Sequence, residues 1–258
     1  MKTPILMIHG MCCTGDVWSG FRTFFEQRGT RVYTPTLRPD LRVSLRQRPN
    51  RALSALRFAD YVADLERETE RIESETGRRP AAIGHSMGGL LAQALAERSR
   101  VCAAVLISPS APAGVRDLST RLFWGGISLA NKLKLVPRAI SPKRSTVDRV
   151  VFNRLPLDAR EAALDAMVHE SGSAFADMGA WPIDESKIHV PMLTVAASRD
   201  RLVPAKLVRL TGQKYAPIGG EFREYEEHAH WLYAEPNWEK PAAEIYDWLQ
   251  AATSAPAN

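Results

Sequence analysis

The chain has few cysteines, no long apolar run and no cysteine spacing suited to a metal. Three cysteines occur in 258 residues, Cys12 and Cys13 side by side and Cys102 alone. An odd count with a vicinal pair is not a disulfide framework, and without Cys-x-x-Cys the usual zinc spacing is absent. The thiols read as small apolar core residues. No uninterrupted apolar stretch approaches the ~20 residues of a membrane span. The N-terminal Met-Lys-Thr-Pro-Ile-Leu-Met-Ile is too short for a secretory signal core and runs directly into His9-Gly10. No targeting signal is read, and a cytoplasmic location is expected. Acids are scarce in two places. Six arginines between Arg38 and Arg57 face one acid, Asp40, and seven basic residues between Lys132 and Arg154 face only Asp148. No nucleic-acid motif accompanies these stretches, so nucleic acid is not an expected partner. They read first as solvated surface, with steering of an anionic ligand or peripheral membrane contact as the alternative.

What is present is ordinary for a folded domain: 45% hydrophobic and 24% charged residues, enough for a sizeable core. Short apolar runs alternate with helical patterns, which predicts an α/β fold, a mostly parallel sheet with helices on both faces. The expected strands are Ile5–His9, Arg31–Pro35, Ala81–Gly84, Ala103–Ser108, Pro191–Ala196 and Phe222–Tyr225. Helices are expected from near Asp16 to Gly29, from Arg57 to Thr76, from Ser86 onward, over Pro204–Leu210 and over Pro236–Leu249. One gap breaks the alternation. About 80 residues separate the strand ending at Ser108 from the one starting near Val190, and they carry helical patterns over Ser119–Leu135 and Leu157–His169. A βαβ unit needs only ~30 residues. The excess predicts a helical cap over residues 112–188, inserted into a core of residues 1–111 and 189–258. A cap in that position covers the strand ends where open α/β sheets bind ligands.

The most specific motif is Gly84-His85-Ser86-Met87-Gly88-Gly89, placed between an apolar run and a helical pattern. A Gly-x-Ser-x-Gly in strand–turn–helix context puts the serine on a sharp turn with its hydroxyl clear of the sheet. Serine is a weak nucleophile and needs a base, which needs an orienting carboxylate. With an elbow serine these partners follow in the order acid, then histidine. Asp200 leaves the C-terminal end of the strand around Met192–Ala196 and is the expected acid. The base lies in Glu226-Glu227-His228-Ala229-His230-Trp231, where His228 and His230 both qualify. Charge developing on a tetrahedral intermediate requires preorganised donors. The Met87 N–H and the Met11 N–H, in the Gly10-Met11-Cys12 loop after the first strand, are the expected oxyanion hole. His9 and His85 read as structural hydrogen-bonders. Cys12, Phe123, Trp124, Ile127 and Trp231 are candidate substrate-lining residues.

Taken together, His9-Gly10, the elbow at Ser86, Asp200 with Val203-Pro204, and His230-Trp231 before Glu235-Pro236 resemble the α/β-hydrolase fold family. The resemblance spans the chain outside the cap. In that family the histidine commonly precedes a Glu-Pro or Glu-x-Pro step, which selects His230. The early His-Gly loop is similar to the small esterase and hydroxynitrile lyase branch and implies about six strands. Relatives that open epoxides or remove halides carry an aspartate where this chain has Ser86. The resemblance implies a serine hydrolase of carboxylic esters or thioesters, needing no metal or organic cofactor; the apolar residues of the expected cap, beside a basic stretch, suit a small apolar or amphipathic acyl substrate as partner. The rival readings are a same-fold lyase, C–C hydrolase or cofactor-free perhydrolase, and a low-turnover small-molecule receptor.

Overall fold

The computed structural model describes residues 2–115, 126, 127, 129, 130, 133 and 139–254. Its centre is a six-stranded sheet in which every neighbouring pair is parallel. The strands are β1 (Ile5–Ile8), β2 (Val32–Tyr33), β3 (Ala81–His85), β4 (Ala104–Ile107), β7 (Met192–Ala197) and β8 (Glu221–Tyr225), in the order β2-β1-β3-β4-β7-β8. Between β4 and β7 lie β5 (Ala139–Ile140) and β6 (Glu170–Ser171), a separate antiparallel pair.

The sheet is covered on both faces because its central strands are apolar at consecutive positions. In β1, Ile5 and Met7 point to one core and Leu6 and Ile8 to the other. β4 divides the same way, Val105 and Ile107 against Ala104 and Leu106. The first core takes the Phe21 and Phe25 stripe of α1 (Ser19–Glu26) and Ile245, Trp248 and Leu249 from the C-terminal helix. The second takes Tyr61, Val62 and Leu65 of α2 (Phe58–Thr76) and Leu90, Leu91 and Leu95 of α3 (Met87–Glu97). The fold is thus the expected covered parallel sheet of six strands. No described helix is long and apolar enough to cross a membrane.

The chain between β4 and β7 is where the expectations need most revision. The pattern over Ser119–Leu135 falls mostly outside the described residues, of which 126–127 and 129–130 are helical. The pattern over Leu157–His169 gives a shorter helix, α4 (Leu157–Asp165). Beyond it the backbone is extended, because Met167 C=O accepts from Leu45 N–H, His169 N–H donates to Val43 C=O, and Glu170 pairs with Ile140. Backbone partners outside the helix override the helical pattern. α5 (Gly172–Met178) follows, with Ser171 Oγ capping the Ala174 N–H. After β7 come α6 (Ala205–Tyr215) and, at the C-terminus, α7 (Glu239–Ser254).

The first basic stretch is largely exposed, as expected, with the Arg42 side chain the buried exception, but four of its six arginines also meet acids from elsewhere in the chain. Arg38 pairs with Asp64, Arg42 with Glu170, Arg46 with Asp165 and Arg57 with Asp177. The missing acids are supplied by distant segments, which sequence-local counting cannot see.

Candidate active site

Parallel strands deliver their C-terminal loops to one edge. The chain leaves β1 for β2 on one side and leaves β3 for β4 on the other, so the loops after β1 and β3 diverge and leave a crevice between them. The loop at Gly10–Cys13 and the turn at Ser86 form that crevice.

Ser86 has φ 55° and ψ −116°, a conformation that costs a non-glycine residue about 1–3 kcal/mol. The glycines around it make the turn sterically feasible. A Cβ on Gly84 would sit 2.1 Å from Gly88 O, and one on Gly88 would sit 2.1 Å from Ile8 O. Strand, turn and helix pack backbone to backbone here. Met87 is the first residue of α3, and its N–H has no protein acceptor among the described residues; the same is true of the Met11 N–H. The Met87 side chain is buried in the core beside α3.

Asp200 and His230 are brought together from the loops after β7 and β8. His230 Nδ1 and Asp200 Oδ2 are 2.8 Å apart, and both residues are buried. Asp200 Oδ1 accepts from the Leu202 and Val203 N–H groups, each at 2.8 Å. One carboxylate oxygen is therefore fixed by backbone, and the other is left for the imidazole. The two loops are joined by Arg199 N–H donating to His228 C=O at 2.9 Å.

The backbone around His230 is held on three sides. The buried Glu235 carboxylate accepts from Ala229 N–H at 2.7 Å and from Trp231 N–H at 3.1 Å. His85 Nε2 donates to His230 C=O at 2.8 Å. Burial holds the His85 imidazole well below its usual pKa, with His230 adding to the effect, so it serves as a neutral donor. His9 is likewise neutral, its pKa lowered to about 4 by burial and then by Arg42. His228 points elsewhere. Its Nδ1 is 3.6 Å from Glu235 Oε2, its ring meets Tyr225 edge-on, and it does not line the cavity described next.

Ser86 and His230 line a single cavity of about 540 Å³, within the range of small-molecule sites. Among the described residues no hydrogen bond joins Ser86 Oγ to His230; such bonds are often long before substrate binds. The walls are apolar: Met11, Cys12 and Trp231 from the core, and Ile140, Val151 and Phe175 from the segment between β4 and β7. No Lys, Arg, Asp or Glu is among the described lining residues. Burial raises both thiols beside the crevice, that of Cys13 to about 12, so they act as apolar wall. Of the sequence-derived lining candidates, Cys12 and Trp231 reach the cavity and Ile127 does not. Phe123 and Trp124 lie outside the described residues. The walls from Ile140, Val151 and Phe175 had no sequence signal, because they come from separate short elements with no shared period. The Glu235 clamp was foreshadowed only as part of a Glu-Pro step. Among the described residues no cluster of three His, Cys, Asp or Glu side chains could hold a metal ion.

A doubly covered parallel sheet carrying a strained serine turn at its crevice defines the structural class. The chain belongs to the alpha/beta hydrolase family, whose model matches residues 5–247. A search of curated protein sequences found no match to the chain. Similar solved structures include tomato methylketone synthase I complexed with 2-tridecanone, at 16% identity and a TM-score of 0.73, covering 98% of this chain and 99% of that one. A pyrethroid hydrolase from Sphingobium faniae JZ-2 is similar at 19% identity and a TM-score of 0.72, again covering 98% and 99%. An Arabidopsis methylesterase gives 14% identity and a TM-score of 0.72 over 98% and 99%. At these identities the likeness is one of fold.

Proposed function

We propose that this protein is a serine hydrolase that cleaves a carboxylic ester or thioester through an acyl-enzyme. The observation that carries the proposal is the 2.8 Å contact between His230 Nδ1 and Asp200 Oδ2, with that imidazole and the strained Ser86 lining one apolar cavity. Asp200 holds the tautomer in which Nδ1 carries the proton and Nε2 is a free base. Ser86 Oγ attacks the acyl carbon while His230 Nε2 takes its proton. The oxyanion is stabilised by the Met11 and Met87 N–H groups, the second at a helix N-terminus where negative charge is favoured. The imidazolium, stabilised by Asp200, protonates the leaving group. Water then repeats the sequence on the acyl-enzyme, with His230 as base, and releases the acid.

The lack of charge among the described lining residues supports a neutral, apolar acyl group as the substrate's buried part. We read residues 112–188 as the cap, a reading supported by Ile140, Val151 and Phe175, which line the cavity from the described part of that segment. Esterase and lipase structures share the fold, among them polyneuridine aldehyde esterase and a Paleococcus ferrophilus monoacylglycerol lipase, and this agrees with ester chemistry. The test is hydrolysis of p-nitrophenyl acyl esters. Wild-type protein is expected to turn over the panel, and Asp200→Asn to lose about 10⁴-fold in kcat, because the amide no longer enforces the required tautomer. A wild type inert to the whole panel, or an unimpaired Asp200→Asn, contradicts the proposal.

A further inference from the structure

The backbone is tied down on either side of Met11. Gly10 C=O accepts from His9 Nδ1 at 2.8 Å, and Cys12 C=O accepts from Val168 N–H at 3.0 Å. The Cys12 N–H donates to Glu170 Oε2 at 3.5 Å. Cys12 has φ 59°, a left-handed conformation that a non-glycine residue adopts only when its surroundings impose it. Between these anchors the Met11 N–H is left without an acceptor among the described residues.

Glu170 belongs to the segment between β4 and β7, yet it reaches under this loop. Its carboxylate accepts from Tyr61 Oη at 2.6 Å, Ser171 N–H at 2.8 Å and Arg42 Nη1 at 2.9 Å, besides Cys12 N–H. The Glu170 and Arg42 side chains are 0% and 2% exposed. Arg42 carries the tie onward, with Nε donating to Leu37 C=O and Nη1 to His169 C=O, both at 2.9 Å. Leu37 N–H donates to His9 Nε2 at 3.0 Å, and the His9 ring returns to Gly10. The network is a closed circuit around Gly10–Cys12, and one of its members is supplied by the cap.

A buried ion pair is weak evidence for stability, since apolar residues of equal volume often serve as well. What apolar residues cannot do is aim a peptide N–H. A trans peptide is planar, so fixing Gly10 C=O and the Cys12 peptide fixes where the Met11 N–H points. We propose that Glu170 is a positioning residue for the oxyanion hole, through which the cap sets the aim of the Met11 donor. This rests on the serine-hydrolase reading and on Met11 as a donor. Glu170 touches no substrate; it acts through the loop.

Glu170→Gln presents an NH₂ group toward donors that now meet a carboxylate oxygen, and it leaves Arg42 unpaired. Removing an oxyanion donor outright costs about 10²–10³ in kcat. Displacing one is expected to cost about 10–100-fold in kcat, with KM changed by less than about threefold. Affinity for a trifluoromethyl ketone analogue of the substrate, which forms the tetrahedral adduct, falls by the same factor, whereas affinity for the product acid does not. The decisive comparison is the double variant Arg42→Met/Glu170→Met. It is expected to regain the thermal stability lost in Glu170→Gln and to keep the low kcat. Recovery of both stability and kcat, or an unchanged kcat in folded Glu170→Gln, overturns the proposal. Should Glu170→Gln not fold, Tyr61→Phe removes one bond from the same carboxylate and leaves the charges paired. A kcat loss of about 3–10-fold at constant KM is then expected, and no loss overturns the proposal. An active Ser86→Ala protein would instead remove the serine reading itself, which separates the two failures.

Discussion

Replacing Ser86 with alanine is expected to lower kcat on acyl esters by about 10⁶-fold while leaving the fold intact. The magnitude follows from the role. Without Oγ there is no acyl-enzyme, and what survives is binding plus the oxyanion donors acting on water. The fold should survive because the position already has φ 55°, and alanine meets the same backbone strain as serine. The tight contacts at this turn come from Gly84 and Gly88, which the substitution does not touch. Kinetics on purified variant and a thermal melt check both halves. A melting temperature within about 2 °C of wild type with lost turnover is the expected pair of results, since an Oγ that faces the cavity and has no hydrogen-bond partner among the described residues contributes little to stability.

The second large effect distinguishes the two neighbouring histidines. His230→Ala is expected to cost as much as Ser86→Ala, because nucleophile and base act as one unit, and the double variant should be no worse than either single one. His228→Ala is expected to cost less than about tenfold, as for a residue that packs near the machinery without touching the reacting atoms. The contrast comes from placement. His230 lines the cavity and meets Asp200 at 2.8 Å, whereas His228 faces Tyr225 and Glu235. Steady-state kinetics on the three variants give the ranking. A larger loss in His228→Ala than in His230→Ala would reverse the assignment of the base.

Much of this was legible in the chain. The strands of the main sheet fall within two residues of their expected spans, and in the four central ones apolar runs buried on both faces leave a strong local signal. The turn at Ser86 was legible for a steric reason, as only glycine fits where strand and helix backbones nearly touch. The placement of Asp200 at the edge where it meets His230 was readable from its position after a strand, since strand direction fixes which edge a loop occupies. Other features were not local. The pairing of Arg42 with Glu170 spans more than a hundred residues, and counting charges in a window made Arg42 look solvated. The helix expected to run to His169 stops at Asp165, because residues 167–170 find strand partners that no helical period records. The cavity walls at Ile140, Val151 and Phe175 depend on how short elements dock, and docking leaves no pattern in composition.

Treatment with a fluorophosphonate, followed by mass mapping of the adduct, tests the central claim most directly. The elbow serine should be the labelled residue, with one adduct per chain on the Ser86 peptide and hydrolysis abolished in proportion to labelling. An adduct elsewhere, or full esterase activity in protein whose Ser86 is quantitatively blocked, would contradict the account.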